Sequence, residues 1–197
     1  MEATPGPDTS RDCDDLSERR LIETAKYEEA HRHPKYDMKP WRQEIVREWL
    51  SKAPGSNYLD VGCGKAETID LAKGHGWFAR GCDVVSYLAD RDDVDLIEGA
   101  HDLPYTDGQF AVSTCNDVLE HIIEEDVPQV LAEIRRVTRR AILLGISRKP
   151  GPLHITIKSE EWWLDQIREN MAGTATVVYA DRIKPIKQPY LWVAIEC

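Results

Sequence analysis

The chain has no uninterrupted apolar run of about 18 residues, so no segment is expected to cross a bilayer as a helix. Its cysteines form no C-x-x-C pair: Cys13, Cys63, Cys82, Cys115 and Cys197 are odd in number and scattered. That argues against a disulfide framework or a cysteine-rich zinc site and fits a reducing, cytoplasmic location. The start, "MEATPGPDTSRDCDDLSER", lacks the basic beginning and apolar stretch of an export signal. Positive charge is scarce: 25 Lys and Arg against 35 Asp and Glu leave a net charge of −10. Such a surface repels phosphate backbones and makes bulk DNA or RNA a poor partner. A basic run, "IRRVTRR" at 134–140, reads as a solvated helix end whose cations suit the helix dipole. There is no G-x-x-x-x-G-K-[ST] phosphate loop, and no Y-x-x-x-K dyad of the kind that serves hydride chemistry.

What is present is enough for one ordinary domain: 197 residues, 42% of them hydrophobic. Residues 1–16 are polar and rich in Pro, Gly, Asp, Ser and Thr, and predict a mobile tail. Helices are expected over 17–32 and 40–52, with Trp41, Ile45, Trp49 and Leu50 of the second on one face. From 53 to 197 strands and helices alternate. Strands are predicted at 58–61, 79–84, 95–98, 111–115 and 141–146, with helices at 65–75, 86–90, 116–123 and 126–139 between them. A further helix at 159–170 precedes two strands, 174–180 and 191–196, that read as an antiparallel hairpin. The alternation predicts an α/β fold with a mostly parallel sheet covered by helices on both faces.

"NYLDVGCGKAE", 57–67, places Gly62 and Gly64 where the first strand turns into its helix. Without Cβ atoms the backbone there turns sharply and lies against a ligand. Asp83 closes the second strand, at the spacing where an acid accepts hydrogen bonds from ribose hydroxyls. Two ligands compete for that geometry, a dinucleotide and S-adenosylmethionine. The dinucleotide pattern needs a third glycine at position 67, and the chain has Glu67. A carboxylate there faces the pyrophosphate across a shielded site, at a cost on the order of several kcal/mol. A sulfonium ligand without phosphates avoids that repulsion.

At these residues the chain resembles the class I S-adenosylmethionine-dependent methyltransferases, over roughly residues 40–197. "LDVGCGKAE" is similar to their first motif, "GCDVV" to the second, "LIEGAHDLPYTDGQF" to the strand-three region and "CNDVLEHI" to the segment after strand four. The resemblance implies a Rossmann-like seven-stranded sheet with strand seven antiparallel. It implies S-adenosyl-L-methionine as cofactor and S-adenosyl-L-homocysteine as product. Asp60, Gly62, Cys63 and Gly64 are then expected along the methionine part, Asp83 and Val84 at the ribose, His101 and Asp102 beside the adenine, and Asn116 and Asp117 near the transferable methyl. Three positions depart from the family pattern: Ala66 for a glycine, Gly99 for the acid that grips the adenine amino group, and Ala111 for an aspartate.

Methyl transfer asks the protein mainly to position an acceptor and, where needed, to take its proton. His154, in the loop after strand five, and His121, after strand four, are the candidate bases, since imidazole titrates near neutral pH. Glu120, His121 and His154 have no tight ligand spacing in the sequence, so no metal is expected. Residues 17–52 are expected to act as a helical lid, with Tyr27, His31, Tyr36 and Arg42 reaching the cofactor carboxylate or the acceptor. Trp162 is a candidate stacking wall. The D/N-P-P-Y/F motif of DNA amino-methyltransferases is replaced by Asn116-Asp117-Val118-Leu119. The expected acceptor is an oxygen or nitrogen of a small molecule. A protein, glycan or RNA acceptor, or a cofactor-binding domain without turnover, stays open, as does the oligomeric state.

Overall fold

The computed structural model describes residues 9–32, 40–86, 90–151, 153–177 and 190–197. In chain order the elements are α1 (Thr9–His31), α2 (Pro40–Leu50), β1 (Asn57–Val61), α3 (Glu67–Gly74), β2 (Phe78–Asp83), β3 (Val94–Leu96) and β4 (Phe110–Asn116). Short 3₁₀ turns at Leu119–His121 and Glu124–Asp126 lead into α4 (Val127–Val137), followed by β5 (Thr138–Ser147), α5 (Glu160–Asn170), β6 (Thr174–Val177) and β7 (Tyr190–Glu196). β4 is buried at all of its positions, as a strand covered on both faces must be.

The strands form one sheet in the order β3-β2-β1-β4-β5-β7-β6. β1 pairs parallel with both β2 and β4, and β7 runs antiparallel to both β5 and β6. This is the seven-stranded α/β fold expected, with its antiparallel strand in β7. One face of the sheet packs Leu131 and Ile134 of α4 and Trp163 and Ile167 of α5. The other packs Val46 and Leu50 of α2 and Ile69 and Ala72 of α3. Strand order reverses between β1 and β4, so the carboxyl ends of β1, β2 and β4 open a crevice there. Among the described residues no helix is long and apolar enough to cross a membrane.

Two expectations are corrected, and two others fall partly outside the described residues. Helix α1 begins at Thr9, inside the segment expected to be a mobile tail. An α-helix satisfies its own backbone, and polar anchors rather than apolar burial hold this one: Arg19 pairs with Glu125, and Arg20 bonds both oxygens of Asp126 at 2.7 and 2.5 Å. The helix expected over 116–123 is absent. β4 runs on to Asn116, and Asp117 takes a left-handed conformation (φ 55°) while its N–H donates to the Gly145 carbonyl of β5 at 2.9 Å. That bond commits the amide to the sheet, and only 3₁₀ turns follow. Of the strand expected over 174–180, residues 178–180 lie outside the described residues, as do residues 87–89 of the helix expected over 86–90.

Candidate functional site

The crevice encloses a cavity of about 380 Å³, within the ordinary range for small-molecule sites. Its floor is the turn after β1. Gly62 (φ 72°) and Gly64 (φ 54°) occupy the left-handed region that disfavours side chains, and Ala66 (φ 62°) completes the bend without a glycine. A Cβ at Gly62 would lie 2.2 Å from Val118 Cγ2, so the turn closes on the β4 loop only because that atom is missing. The N–H groups of Gly62 and Cys63 both donate to the Cys82 carbonyl, at 2.8 and 3.1 Å, tying the turn to β2.

Asp83, at the end of β2, lines the cavity and is almost wholly buried. Its Oδ2 accepts from Gly64 N–H at 2.7 Å and its Oδ1 from Val85 N–H at 3.2 Å. Burial pushes its pKa up to about 6, against the pull of those backbone donors. Asp60 does not reach the cavity. It lies beneath the turn, where Thr114 Oγ1 donates to it at 2.5 Å. Desolvation raises its pKa to about 7. Asp60, expected along the ligand, is thus placed behind the cavity wall: strand alternation turns its side chain into the sheet interior, where Oδ1 is held by Thr114 and Oδ2 meets no protein partner among the described residues.

The far end of the cavity, expected to hold an adenine, is bounded by Val84, Gly99, Ala100 and His101. A Cβ at Gly99 would fall 2.5 Å from His101 Nδ1, so the missing acid makes room for an imidazole. Asp102, also expected there, is exposed and does not line the cavity.

At the opposite end stand Asn116, Asp117, His121 and His154. The Asn116 amide is buried, and neither its Nδ2 nor its Oδ1 meets a protein partner among the described residues. Asp117 pairs with Arg42 of α2 and accepts from the Tyr190 hydroxyl of β7. Its carboxyl is nonetheless raised, because desolvation outweighs the guanidinium. Fully buried Glu120 is raised further by desolvation and by its neighbour Asp117. His121 Nδ1 contacts both the Tyr27 hydroxyl and the Leu153 carbonyl, the latter at 2.9 Å, and His154 Nδ1 meets the Lys149 carbonyl at 2.6 Å. Carbonyls only accept, so in each ring Nδ1 carries the hydrogen and Nε2 the lone pair. The two rings meet edge to face, with centroids 4.6 Å apart.

Helix α1 roofs the cavity through Arg20, Glu23, Thr24 and Tyr27. Of the expected lid residues, Tyr27 and Arg42 are at the cavity, His31 is the last residue of α1, and Tyr36 lies outside the described residues. Trp162, expected as a stacking wall, sits on α5 against Trp163 and under Lys158, and does not line the cavity. Sequence reasoning missed Arg20, Glu23, Thr24 and Asp126 on the cavity wall, and Tyr190 behind Asp117; Arg20 and Asp126 meet each other, and Tyr190 meets Asp117, only through contacts distant in sequence. The expected residues Gly62, Cys63, Gly64 and Val84 are on its wall.

Residues 59–143 match a family model described as a methyltransferase domain. No curated protein matches the chain. Among solved structures, a Burkholderia thailandensis 1,6-didemethyltoxoflavin N1-methyltransferase, crystallised with 1,6-didemethyltoxoflavin and S-adenosylhomocysteine, superposes with a TM-score of 0.64 at 15% identity, covering 100% of this chain and 92% of that one. A SAM-dependent methyltransferase from Archaeoglobus fulgidus gives 0.61 at 15% identity, over 79% of this chain and 94% of that one. A Streptomyces coelicolor A3(2) geranyl diphosphate C-methyltransferase, in complex with Mg²⁺, geranyl diphosphate and S-adenosyl-L-homocysteine, gives 0.58 at 17% identity, over 79% and 77%.

Proposed function

We propose that the chain is a class I S-adenosylmethionine-dependent methyltransferase and that it transfers a methyl group to an oxygen or nitrogen of a small acceptor held between Tyr27, His121 and His154. The observation that carries the reading is the cavity at the strand-order switch, with Asp83 facing it from β2 and Glu67 standing on its wall. Gln43 Nε2 holds Glu67 at 2.6 Å, so the carboxylate is fixed where a pyrophosphate would otherwise lie.

The residues present fit the cofactor. Asp83 offers carboxylate oxygens to a ribose. The buried Asn116 amide, unmatched by protein among the described residues, has donors and an acceptor for an amino-acid end. His101 and Ala100 bound an apolar slot for a purine. Bound there, S-adenosylmethionine supplies a methyl group on a cationic sulfur with a neutral thioether as leaving group, so the acceptor gains a methyl and loses a proton. His154 takes that proton at Nε2, which the Lys149 carbonyl leaves basic by holding the hydrogen on Nδ1. Tyr27 and the Leu153 carbonyl fix the His121 ring beside it. Helix α1 excludes water, and it rests on ion pairs and hydrogen bonds that are easily remade: Arg19 to Glu125, Arg20 to Asp126, and Ser86 N–H to Glu28 at 2.6 Å. A roof over the crevice favours a small acceptor over a macromolecular one.

The test is calorimetric titration of S-adenosylhomocysteine and of NADH, followed by a labelled-methyl assay on fractionated small molecules. Binding of S-adenosylhomocysteine alone, with label entering a small molecule, is the expected result. NADH binding, or label entering only protein or RNA, refutes the reading.

A further inference from the structure

The fold assembles three side chains that show no ligand spacing in the sequence. Glu120 and His121 leave the 3₁₀ turn after β4, and His154 leaves the loop after β5. One ligand atom from each lies within 4.8 Å of the other two. The two segments are sewn together: the N–H groups of Ile155 and Thr156 both donate to the Glu120 carbonyl at 3.0 Å, and Thr156 Oγ1 donates to the Ile122 carbonyl at 2.6 Å. The cluster is thus held by backbone, not by chance rotamers.

Two features point to a ligand. Glu120 has no exposed surface; its Oε1 accepts from Ser147 N–H at 3.1 Å, while Oε2 meets no N–H or hydroxyl donor among the described residues and the Asp117 carboxyl stands beside the group. Both imidazoles have Nδ1 against a main-chain carbonyl, Leu153 at 2.9 Å and Lys149 at 2.6 Å. A metal-bound histidine is oriented in this way, its outer nitrogen donating to a carbonyl while the other binds the ion. The arrangement exceeds what a general base requires, since one oriented imidazole would do.

We propose that Glu120 Oε2, His121 Nε2 and His154 Nε2 bind a divalent transition-metal ion at the acceptor end of the cavity. Two imidazoles and one carboxylate suit Zn²⁺, Mn²⁺ or Fe²⁺ better than Mg²⁺ or Ca²⁺, which prefer an all-oxygen shell. Ligand atoms about 2.1 Å from a tetrahedral ion lie about 3.4 Å apart, so the side chains close by about an ångström on loading. Three protein ligands leave a position open toward the cavity, as in catalytic sites. The role there rests on the proposed transfer: an acceptor hydroxyl bound at the open position loses its proton to solvent, and its oxygen is held for attack. In the loaded protein His154 is a ligand and no longer the base.

The experiment uses the full chain, stripped with a chelator and titrated with Mn²⁺ while the electron paramagnetic resonance signal of free Mn²⁺ is followed. S-adenosylhomocysteine is titrated calorimetrically into the same stripped protein. One saturable Mn²⁺ per chain is expected, with affinity reduced about tenfold or more in both E120Q and H154A and unchanged in H75A, a change at an exposed position away from the cavity. Absence of saturable Mn²⁺, Zn²⁺ and Co²⁺ binding overturns the inference, and so does unchanged affinity in both variants. E120Q preserves volume, and H154A alters a surface loop, so at least one variant reports on a folded protein. Metal binding without S-adenosylhomocysteine binding would sink the methyl-transfer reading and leave the site. The reverse result would sink the site alone.

Discussion

Replacing Asp83 by asparagine is expected to move stability and ligand affinity in opposite directions. The carboxylate is 7% exposed, and burial lifts its pKa from 3.8 to about 6. That rise corresponds to about 3 kcal/mol, which is what keeping this group ionised at neutral pH costs the folded protein. The sign follows from proton binding. Between the ordinary value and about 6 the native state holds more protons than the unfolded chain, so this group's contribution to stability is largest at acid pH. It falls away as pH rises through that window. The replacement carries no charge, but its single carbonyl oxygen cannot serve both the Gly64 and the Val85 N–H groups, and one lost acceptor costs about 1–2 kcal/mol. The balance at pH 7.5 is a gain of about 1–2 kcal/mol, or several degrees in melting temperature. Affinity for S-adenosylhomocysteine falls by about 1–3 kcal/mol, the worth of charge-assisted hydrogen bonds to ribose hydroxyls. Below pH 6 the wild-type carboxyl is protonated, so wild-type affinity drops toward that of the variant and the stability gain disappears. Paired thermal melts and calorimetry at pH 5 and 7.5 decide it. Loss of both stability and affinity at pH 7.5 would mean that Asp83 only organises the turn, and unchanged affinity would remove it from the ligand site.

His154→Ala is expected to lower turnover by about a hundredfold or more while leaving S-adenosylhomocysteine affinity within about twofold. A change confined to affinity would contradict its place at the acceptor end. Gly62→Ala meets both a left-handed backbone and Val118 Cγ2 at 2.2 Å, and is expected to cost about 2–5 kcal/mol in denaturant unfolding. A loss below about 1 kcal/mol would show that the turn relaxes. Arg20→Ala removes the two-point bond to buried Asp126 and is expected to speed amide exchange along α1 without changing the sheet. Exchange equal to wild type in α1 would show that other contacts hold the roof.

Much of this was legible in one dimension because it depends on local chemistry. The alternation of short β-branched runs with amphipathic segments specifies a layered α/β sheet. Gly62 and Gly64 declare a turn only residues without side chains make comfortably, and Glu67 argues against phosphate at its helix. Asp83 was found by its distance from that turn. Strand ends, by contrast, depend on bonds the sequence does not display. The Asp117 N–H given to Gly145 turns an expected helix into a strand end and a left-handed bend.

Asp60 shows why composition within a motif does not settle exposure, since one residue of register sends its carboxylate under the turn to Thr114. Arg20, on the cavity wall, bonds Asp126 across 106 residues of chain, and Tyr190 bonds Asp117 of that wall across 73. Glu120, His121 and His154 carry no spacing signature because two loops, at the ends of β4 and β5, supply them. The sequence by itself determined the layers, the switch-point turn and the acid beside it, since these are properties of neighbouring residues. Only the tertiary structure decided which side chains converge opposite them, because that depends on strand order bringing β1, β4, β5 and the roof helix to one edge.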